Sequence, residues 1–368
     1  MSARPPADPI DAADRKTGRA TGRATDRGAG GEIDWEDAWR TALYGPDGFY
    51  ARPEGPAGHF RTASHAAAGL LAEALTALAA SAGCGAVLDV GAGRGELLTA
   101  LATAAPHLRP RGVDVVARPP GLPPAAGWSH SGSDGALGDP LGGVPDDLLD
   151  GVLVVAWELL DVVPCPILEV DGAGLLRRVR VRPDSGRERL GEPAHPDDLS
   201  WCARWWPLDG APPGTRVEIG RPRDELWAAI AGRVRSGLLL AVDYAHTAAE
   251  RPRHETLTGY RAGRQVTPVP DGSCDITAHV AMDAVAAAAQ SRGAAAGRLT
   301  TQRAALIELG ITGAVTPGWG RRDSGSAADL LADLARAGQA AELLDPGGLG
   351  GFTWLMQPVP APSTAGIG

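Results

Sequence analysis

The sequence predicts an α/β protein built on a doubly wound, mostly parallel sheet, and three observations predict this fold class. Short apolar segments at residues 86–90, 151–156 and 238–242 alternate with longer segments of helical periodicity. The second and third of these segments are apolar throughout, as are central parallel strands that are buried on both faces. A glycine-rich turn joins the first segment to a helical one, and doubly wound sheets bind their ligands at such turns.

The composition is that of a globular protein and excludes several classes of partner. The chain has 368 residues, of which 44% are hydrophobic and 21% charged, and its net charge is −9. An acidic chain is a poor match for nucleic acid or for an anionic membrane. The four cysteines and eight histidines form no metal-binding pattern, so no metal site is predicted. Because the sequence shows neither a run of about 20 apolar residues nor a targeting segment, we expect a cytoplasmic protein.

The chain divides by composition into a tail, a helical cap and one large domain. Residues 1–33 contain almost no large apolar side chains, so we expect a disordered tail. The other expected parts are an N-terminal helical cap at 34–82, a main domain at 83–358 with an inserted lobe at about 165–225, and a flexible tail at 359–368.

Further elements follow from periodicity and turn residues. A hairpin that turns at Asp171 is predicted over residues 167–181, and a tryptophan cluster at Trp201, Trp205 and Trp206 is expected to be the core of the lobe. Residues 118–144 are rich in proline and glycine and are expected to be mostly loop. Helices are predicted from Asp34 as N-cap, at 66–80, and near 276–289, 301–309 and 327–344, with a last strand near 352–356.

The glycine-rich turn is the strongest local signal for a ligand. Asp89 lies in the strand, and Gly91, Ala92, Gly93 and Gly95 follow it in a G-x-G-x-G pattern. Glycines let the backbone turn sharply and approach a ligand closely. The dinucleotide pattern G-x-G-x-x-G is absent, so a nucleoside ligand without a pyrophosphate is favoured. A tight turn without a ligand is the alternative.

Acidic side chains follow the neighbouring predicted strands. Asp114 ends the second strand, where a carboxylate can accept hydrogen bonds from ribose hydroxyls or simply be solvated. Glu158 and Asp161 follow the central strand and would share one face of a short helix. There they would position an amine or guanidine, or accept a proton, unless they only cap the helix. Asp243 and Tyr244 follow another strand and are candidates to line the same pocket, whereas we interpret His246 as a loop histidine.

Several segments together resemble one known family, the MidA-like methyltransferases. That family includes the mitochondrial complex I assembly factor that methylates a protein arginine. The resembling segments occur in the family's order between about residues 39 and 310, and they are residues 41–50, 58–63, 89–97, 158–164, 242–244, 256–261 and 274–280.

The resemblance implies a class I fold with a seven-stranded, Rossmann-like methyltransferase sheet that binds S-adenosylmethionine. It implies that Glu158 and Asp161 lie at the methyl-transfer site, that the glycine turn holds the methionine part of the cofactor, and that Asp114 holds its ribose. The expected methyl acceptor is a protein side chain, specifically arginine, or a small molecule, and a homodimer is expected as a possible assembly. The residues expected to bind the cofactor are Asp89, Gly91, Ala92, Gly93, Gly95, Asp114, Trp157, Phe60 and Thr62.

The sequence departs from the family pattern at three positions near the expected site. His59 and His65 stand where the family usually has acidic residues, and Trp157 stands where it usually has asparagine. These departures keep two alternatives open: an inactive or weakly active protein that binds the cofactor as an assembly scaffold, and a methyltransferase for small molecules.

Overall fold

The computed structural model describes residues 31–52, 62–131, 139–252, 254–313 and 327–361. Its helices are α1 (Trp35–Tyr44), α2 (Ala63–Ser81), α3 (Glu96–Ala104), α4 (Pro196–Trp205), α5 (Arg221–Arg233), α6 (Met282–Gln290), α7 (Gln302–Glu308) and α8 (Ala327–Leu344). Its strands are β1 (Ile33–Asp34), β2 (Ala86–Val90), β3 (Arg109–Asp114), β4 (Gly127–His130), β5 (Val152–Trp157), β6 (Ile167–Val170), β7 (Leu176–Val181), β8 (Glu188–Pro193), β9 (Arg216–Glu218), β10 (Gly237–Asp243), β11 (Ala245–His246), β12 (Thr258–Arg261), β13 (Arg264–Val266), β14 (Asp275–Thr277), β15 (Val280–Ala281), β16 (Arg298–Thr301) and β17 (Thr353–Val359).

The main sheet has seven strands in the order β16-β17-β10-β5-β2-β3-β4. The five strands from β10 to β4 run parallel, whereas β17 runs antiparallel to both of its neighbours. The central strands β2, β5 and β10 are almost completely buried, because their apolar side chains are covered on both faces. The predicted α/β class with a largely parallel sheet is therefore confirmed.

Helices cover both faces of this sheet. One hydrophobic cluster joins the strands to α2, α3, α7 and α8, and a second joins them to α5 and α6. By length and composition α2 could cross a membrane, contrary to the expectation that no such run exists, but 56% of its most apolar window is buried inside the molecule. Leu71 and Leu75 of α2 are fully buried, so in this structure α2 packs as a core helix.

A second sheet is formed largely by the chain between β5 and β10. Its order is β1-β7-β6-β9, with β8 paired to β7. The antiparallel pair β6 and β7 is the hairpin that the sequence predicts. Trp201 and Trp206 lie in a buried cluster with residues of β6, β9 and α6, as the interpretation of the tryptophans as core residues requires.

The division of the chain into tail, cap, domain and lobe stays a prediction. Ile33, which was assigned to the tail, pairs with Val181 in the second sheet.

Two local predictions need correction. The stretch 118–144 contains β4, which lies at the edge of the main sheet and hydrogen-bonds along β3; edge strands tolerate the flanking glycines and prolines that hid it. The helix predicted near 276–289 begins only at Met282, because Asp275–Thr277 and Val280–Ala281 pair as β14 and β15.

Candidate functional site

The carboxyl ends of parallel strands meet at one edge of the main sheet and bring most of the predicted residues together. Gly91 follows β2 directly, Asp114 ends β3, Glu158 follows β5 and Asp243 ends β10. Because β3, β2, β5 and β10 are consecutive neighbours in the sheet, these residues lie along a single edge. This edge is where open α/β sheets bind ligands.

The glycine loop, residues 91–95, turns with three left-handed glycines. Gly91, Gly93 and Gly95 have φ angles of 78°, 55° and 78°. A Cβ atom on Gly91 would lie 2.9 Å from Leu159 Cδ1, and one on Gly95 would lie 2.6 Å from Leu122 Cδ1. A Cβ on Gly93 would meet no atom of the described residues within 4 Å. The left-handed backbone favours glycine at all three positions, and among the described residues only Gly93 of the three has open space beside it.

Asp114 shapes the glycine loop from the end of β3. Its Oδ2 atom accepts a hydrogen bond from the Gly93 N–H at 2.7 Å, and its Oδ1 atom accepts one from the Val116 N–H at 3.1 Å. Burial raises the pKa of this carboxyl, although the two backbone N–H groups oppose the shift. Each carboxylate oxygen has a second lone pair, so both oxygens can still accept from a ribose.

Asp89 lies behind the glycine loop and is almost completely buried. Burial raises its pKa to about 7, and the negative charges of Asp114 and Glu96 add to that effect. A positive ligand group beside it would lower the pKa again and be bound more tightly by the ionised carboxylate.

The first turn of α2 connects the glycine loop to the end of β5. Thr62 caps α2, and its Oγ1 atom lies 2.6 Å from Nδ1 of His65. The other ring nitrogen of His65 lies 3.1 Å from Glu96 Oε1, at the start of α3. The Ala63 N–H donates to Glu158 Oε1 at 2.9 Å. Thr62 thus lies at the predicted site, while Phe60 and His59 are outside the described residues.

The acid loop, residues 158–164, follows β5 and is not the short helix predicted for it. Glu158 has a φ angle of 52°, which is rare for a residue other than glycine. The N–H groups of Leu160 and Asp161 donate to Asp243 Oδ2 at 2.9 and 3.1 Å. Both N–H groups therefore hold the acid loop against the end of β10, where Asp243 lies.

Glu158 and Asp161 are close enough to affect one another despite the absence of a helix. Burial raises the pKa of Glu158 to about 8, and the charge of Asp161 raises it further. Burial raises the pKa of Asp161 to about 6, against the opposing charge of Arg223. The Asp161 Oδ1 atom is buried and has no hydrogen-bond partner among the residues that the structure describes. Buried polar atoms normally have a hydrogen-bond partner, so this oxygen can still accept a hydrogen bond.

Sequence reasoning missed two side chains that lie beside the acid loop. Asp275 of β14 is fully buried, and its Oδ1 atom accepts from the Tyr50 hydroxyl at 3.0 Å. The hydroxyl of Tyr44 donates to the carbonyl of Val162 at 3.2 Å. Burial raises the pKa of Asp275, and the charge of Asp161 raises it further. One signal was available: Asp275 is a charged residue between the apolar Cys274 and Ile276.

Aromatic side chains flank the acid loop on the other side. Tyr244, after β10, is 37% exposed and stacks on His279 with ring centroids 5.9 Å apart. Trp157 packs edge-to-face on Trp354 at 5.3 Å, against the hydrophobic cluster of α2 and α8. His246 is buried against Trp206, with centroids 4.8 Å apart, rather than lying in an exposed loop.

Comparisons with known proteins find similarity to methyltransferases. A family model described as "Putative S-adenosyl-L-methionine-dependent methyltransferase" matches residues 144–300. A crystal structure of a "likely methyl transferase" from Burkholderia thailandensis bound to S-adenosyl-homocysteine is similar at TM-score 0.71 and 22% identity, covering 89% of this chain and 88% of that chain. A second Burkholderia thailandensis structure, of an uncharacterized protein of the same superfamily, has TM-score 0.69, 22% identity, and coverage of 89% and 87%. No curated protein matches.

The two kinds of comparison cover different parts of the site. The family model includes the acid loop, Asp243 and Asp275, but its match begins after the glycine loop and Asp114. The structural likeness spans nearly the whole chain and concerns the fold. The description of the family model agrees with the cofactor predicted from the sequence, S-adenosylmethionine.

Proposed function

We propose that the protein is an S-adenosylmethionine-dependent methyltransferase of the MidA-like kind, and that its acceptor is an arginine side chain of a protein. The observation that carries the proposal is the composition of the sheet edge: a glycine loop open at Gly93 adjoins carboxyl groups at Asp89, Asp114 and Glu158. A nucleoside ligand that carries positive charge matches both features.

The residues present fit this cofactor. The open space at Gly93 admits close approach to the backbone, and the free lone pairs of Asp114 suit ribose hydroxyls. Asp89 and Glu158, whose pKa values are raised to about 7 and about 8, would become ionised beside positive sulfonium and ammonium groups. Bound here, the cofactor supplies an already activated methyl group, and the protein supplies binding and orientation.

The acid loop would orient the acceptor and remove its proton. A guanidinium has a pKa above about 12, so it must lose a proton as the new bond to the methyl carbon forms. Glu158, whose carboxyl would be ionised beside the positively charged cofactor, is the proposed general base that accepts this proton. Asp161, with an unpartnered buried Oδ1 atom, offers an acceptor for a guanidinium N–H. Holding two reacting groups in line can provide about 7–11 kcal/mol of the barrier.

A labelling assay tests the proposal and separates it from the alternatives. Purified protein, cell extract and cofactor with a tritiated methyl group are incubated together, and the labelled product is hydrolysed and identified. Labelled methylarginine in a protein band supports the proposal. Label only in small molecules supports the small-molecule alternative, and cofactor binding without label supports the scaffold alternative. The Glu158→Gln variant serves as the control for contaminating activity.

A further inference from the structure

Arg223 is a buried arginine that neither the sequence pattern nor the mechanism above uses. It lies in the first turn of α5, and its side chain is 1% exposed. Its Nη2 atom donates to the carbonyl of Asp161 at 3.1 Å, and its Nε atom donates to that of Val163 at 3.3 Å. Its Nη1 atom donates to the carbonyl of His279 at 2.7 Å. One guanidinium therefore joins the acid loop to the segment between β14 and β15.

This guanidinium binds no carboxylate directly. Within the described part of the chain, no carboxylate oxygen of an Asp or Glu lies within 4.0 Å of its nitrogens, and it also contacts the face of Trp39, at 5.8 Å from the ring centroid. A fully buried charge without a counter-charge would be strongly destabilising. The negative charge that balances Arg223 must therefore come from the acids around it.

Those acids belong to the elements that surround the site. The charge of Arg223 lowers the pKa of Asp161, and also those of Asp243 at the end of β10, Glu218 of β9 and Asp224 of α5. Asp161, Glu218 and Asp224 each have a buried carboxyl oxygen without a hydrogen-bond partner. Other titratable groups near this cluster are Glu158, Asp275, Tyr44, His246 and His279.

We propose that Arg223 is a positioning residue of the methyl-transfer site: it fastens the acid loop to the segment that carries His279, and it is the buried positive charge that the Asp161 carboxylate requires. The positioning role rests on the proposed function, because Asp161 is the group that would hold the acceptor. The link that Arg223 makes between the acid loop and the segment of His279 depends only on its own hydrogen bonds.

The titration midpoint of the Asp161 carboxyl distinguishes the proposed role of Arg223 from a purely structural one. Loss of an arginine with only a structural role would leave this midpoint unchanged. The side-chain carboxyl carbons of the aspartates are labelled with ¹³C, the Asp161 signal is assigned with Asp161→Asn, and its titration is followed by NMR. The wild-type midpoint is expected above the usual pKa of about 3.9 for an aspartate, at about 6, because burial disfavours the charged form. In Arg223→Met it moves up by about 1–3 pH units, and in Arg223→Lys, which keeps the charge, it moves less. Arg216→Met, which removes a half-buried arginine of β9 that pairs with Glu169, leaves the Asp161 midpoint unchanged.

Amide hydrogen exchange tests whether Arg223 holds the acid loop to the segment of His279, and this test does not depend on the Met variant. The Ala278 N–H donates to the same Asp161 carbonyl as Arg223, at 3.1 Å. In Arg223→Lys the shorter side chain cannot reach all three carbonyls, so exchange at Ala278 is expected to accelerate at least about tenfold. An Asp161 midpoint that does not move in Arg223→Met, or unchanged exchange in Arg223→Lys, would overturn the proposal. A protein that shows both effects but binds no S-adenosylmethionine would contradict only the proposed function.

Discussion

The two halves of the site are built in different ways. On the cofactor side, Asp89, the glycine loop and Asp114 belong to two adjacent strands and the turn that follows the first of them, and most of the contacts are made by backbone N–H groups. On the acceptor side, the acid loop is held by side chains that come from far along the chain: Asp243, Arg223 and Tyr44. The first half is therefore a local property of the sequence, whereas the second exists only after the fold has formed.

Replacing Glu158 tests whether the acceptor side performs the chemistry. Glu158→Gln is expected to lower the rate of methyl transfer by about 10²–10⁴-fold, because the amide cannot take a proton. The amide oxygen can still accept the Ala63 N–H, so the fold is expected to be retained, and the affinity for S-adenosylmethionine is expected to fall at most about tenfold through the loss of one charge. Label incorporation and calorimetry measure the two effects, and an unchanged rate would remove Glu158 from the mechanism.

Replacing Gly93 tests whether the cofactor side is the binding surface. Gly93→Val is expected to weaken S-adenosylmethionine binding at least about 100-fold, because its side chain would occupy the space through which the ligand approaches the backbone. Gly174→Val is a matched control in the β6–β7 turn: Gly174 has a φ angle of 80°, and a Cβ there also meets nothing within 4 Å. Both substitutions place valine in a left-handed backbone conformation, so they should cause similar strain. Equal affinities of the two variants for S-adenosylmethionine would show that the ligand does not bind in the space beside Gly93.

Asp114 links the loop to the predicted ribose contact. Asp114→Asn places an NH₂ group against one of two backbone N–H donors, and a roughly 10–100-fold loss of cofactor affinity is expected. Asp171→Asn is the control, because Asp171 Oδ1 also accepts from two backbone N–H groups, those of Ala173 and Leu175, in a turn of the other sheet. An equally small effect of both substitutions on cofactor affinity would argue against a ribose contact.

The relative affinity for S-adenosylmethionine and S-adenosyl-homocysteine is expected to depend on pH. S-adenosylmethionine carries a sulfonium charge that S-adenosyl-homocysteine lacks, while both share the same amino group. Carboxyls ionise above their pKa values, which are about 7 for Asp89 and about 8 for Glu158. The ratio of the two affinities should therefore rise in favour of the sulfonium ligand, by about three- to tenfold between pH 6 and 9. Calorimetry at several pH values measures it, and a constant ratio would place the sulfonium away from both carboxyls.

The elements near the glycine loop were predictable because their signals are local. Residues 86–90 were predicted as a strand and form β2 with the same bounds, and the glycine-rich turn was predicted to lead into a helix, which is α3. Apolar runs and glycine spacing act within a few residues, so no tertiary information is needed. Asp114 was likewise predicted to end a strand, and it is the last residue of β3.

The acceptor side could not be predicted in the same way. The pattern at 158–164 suited a helix, but the N–H groups of Leu160 and Asp161 bind Asp243, about 80 residues further along the chain. Arg223 carries no local signal at all, since one arginine in the first turn of an amphipathic helix is expected to be solvated. Its importance becomes visible only when three distant carbonyls converge on it.

Calorimetric titration of the wild-type protein with S-adenosylmethionine tests the central claim most directly. We expect saturable heat with about one ligand per chain, and a thermal unfolding temperature that rises with ligand concentration because only the folded protein binds. A titration without heat, together with an unfolding temperature that the ligand leaves unchanged, would contradict the claim that this edge of the sheet is a cofactor site.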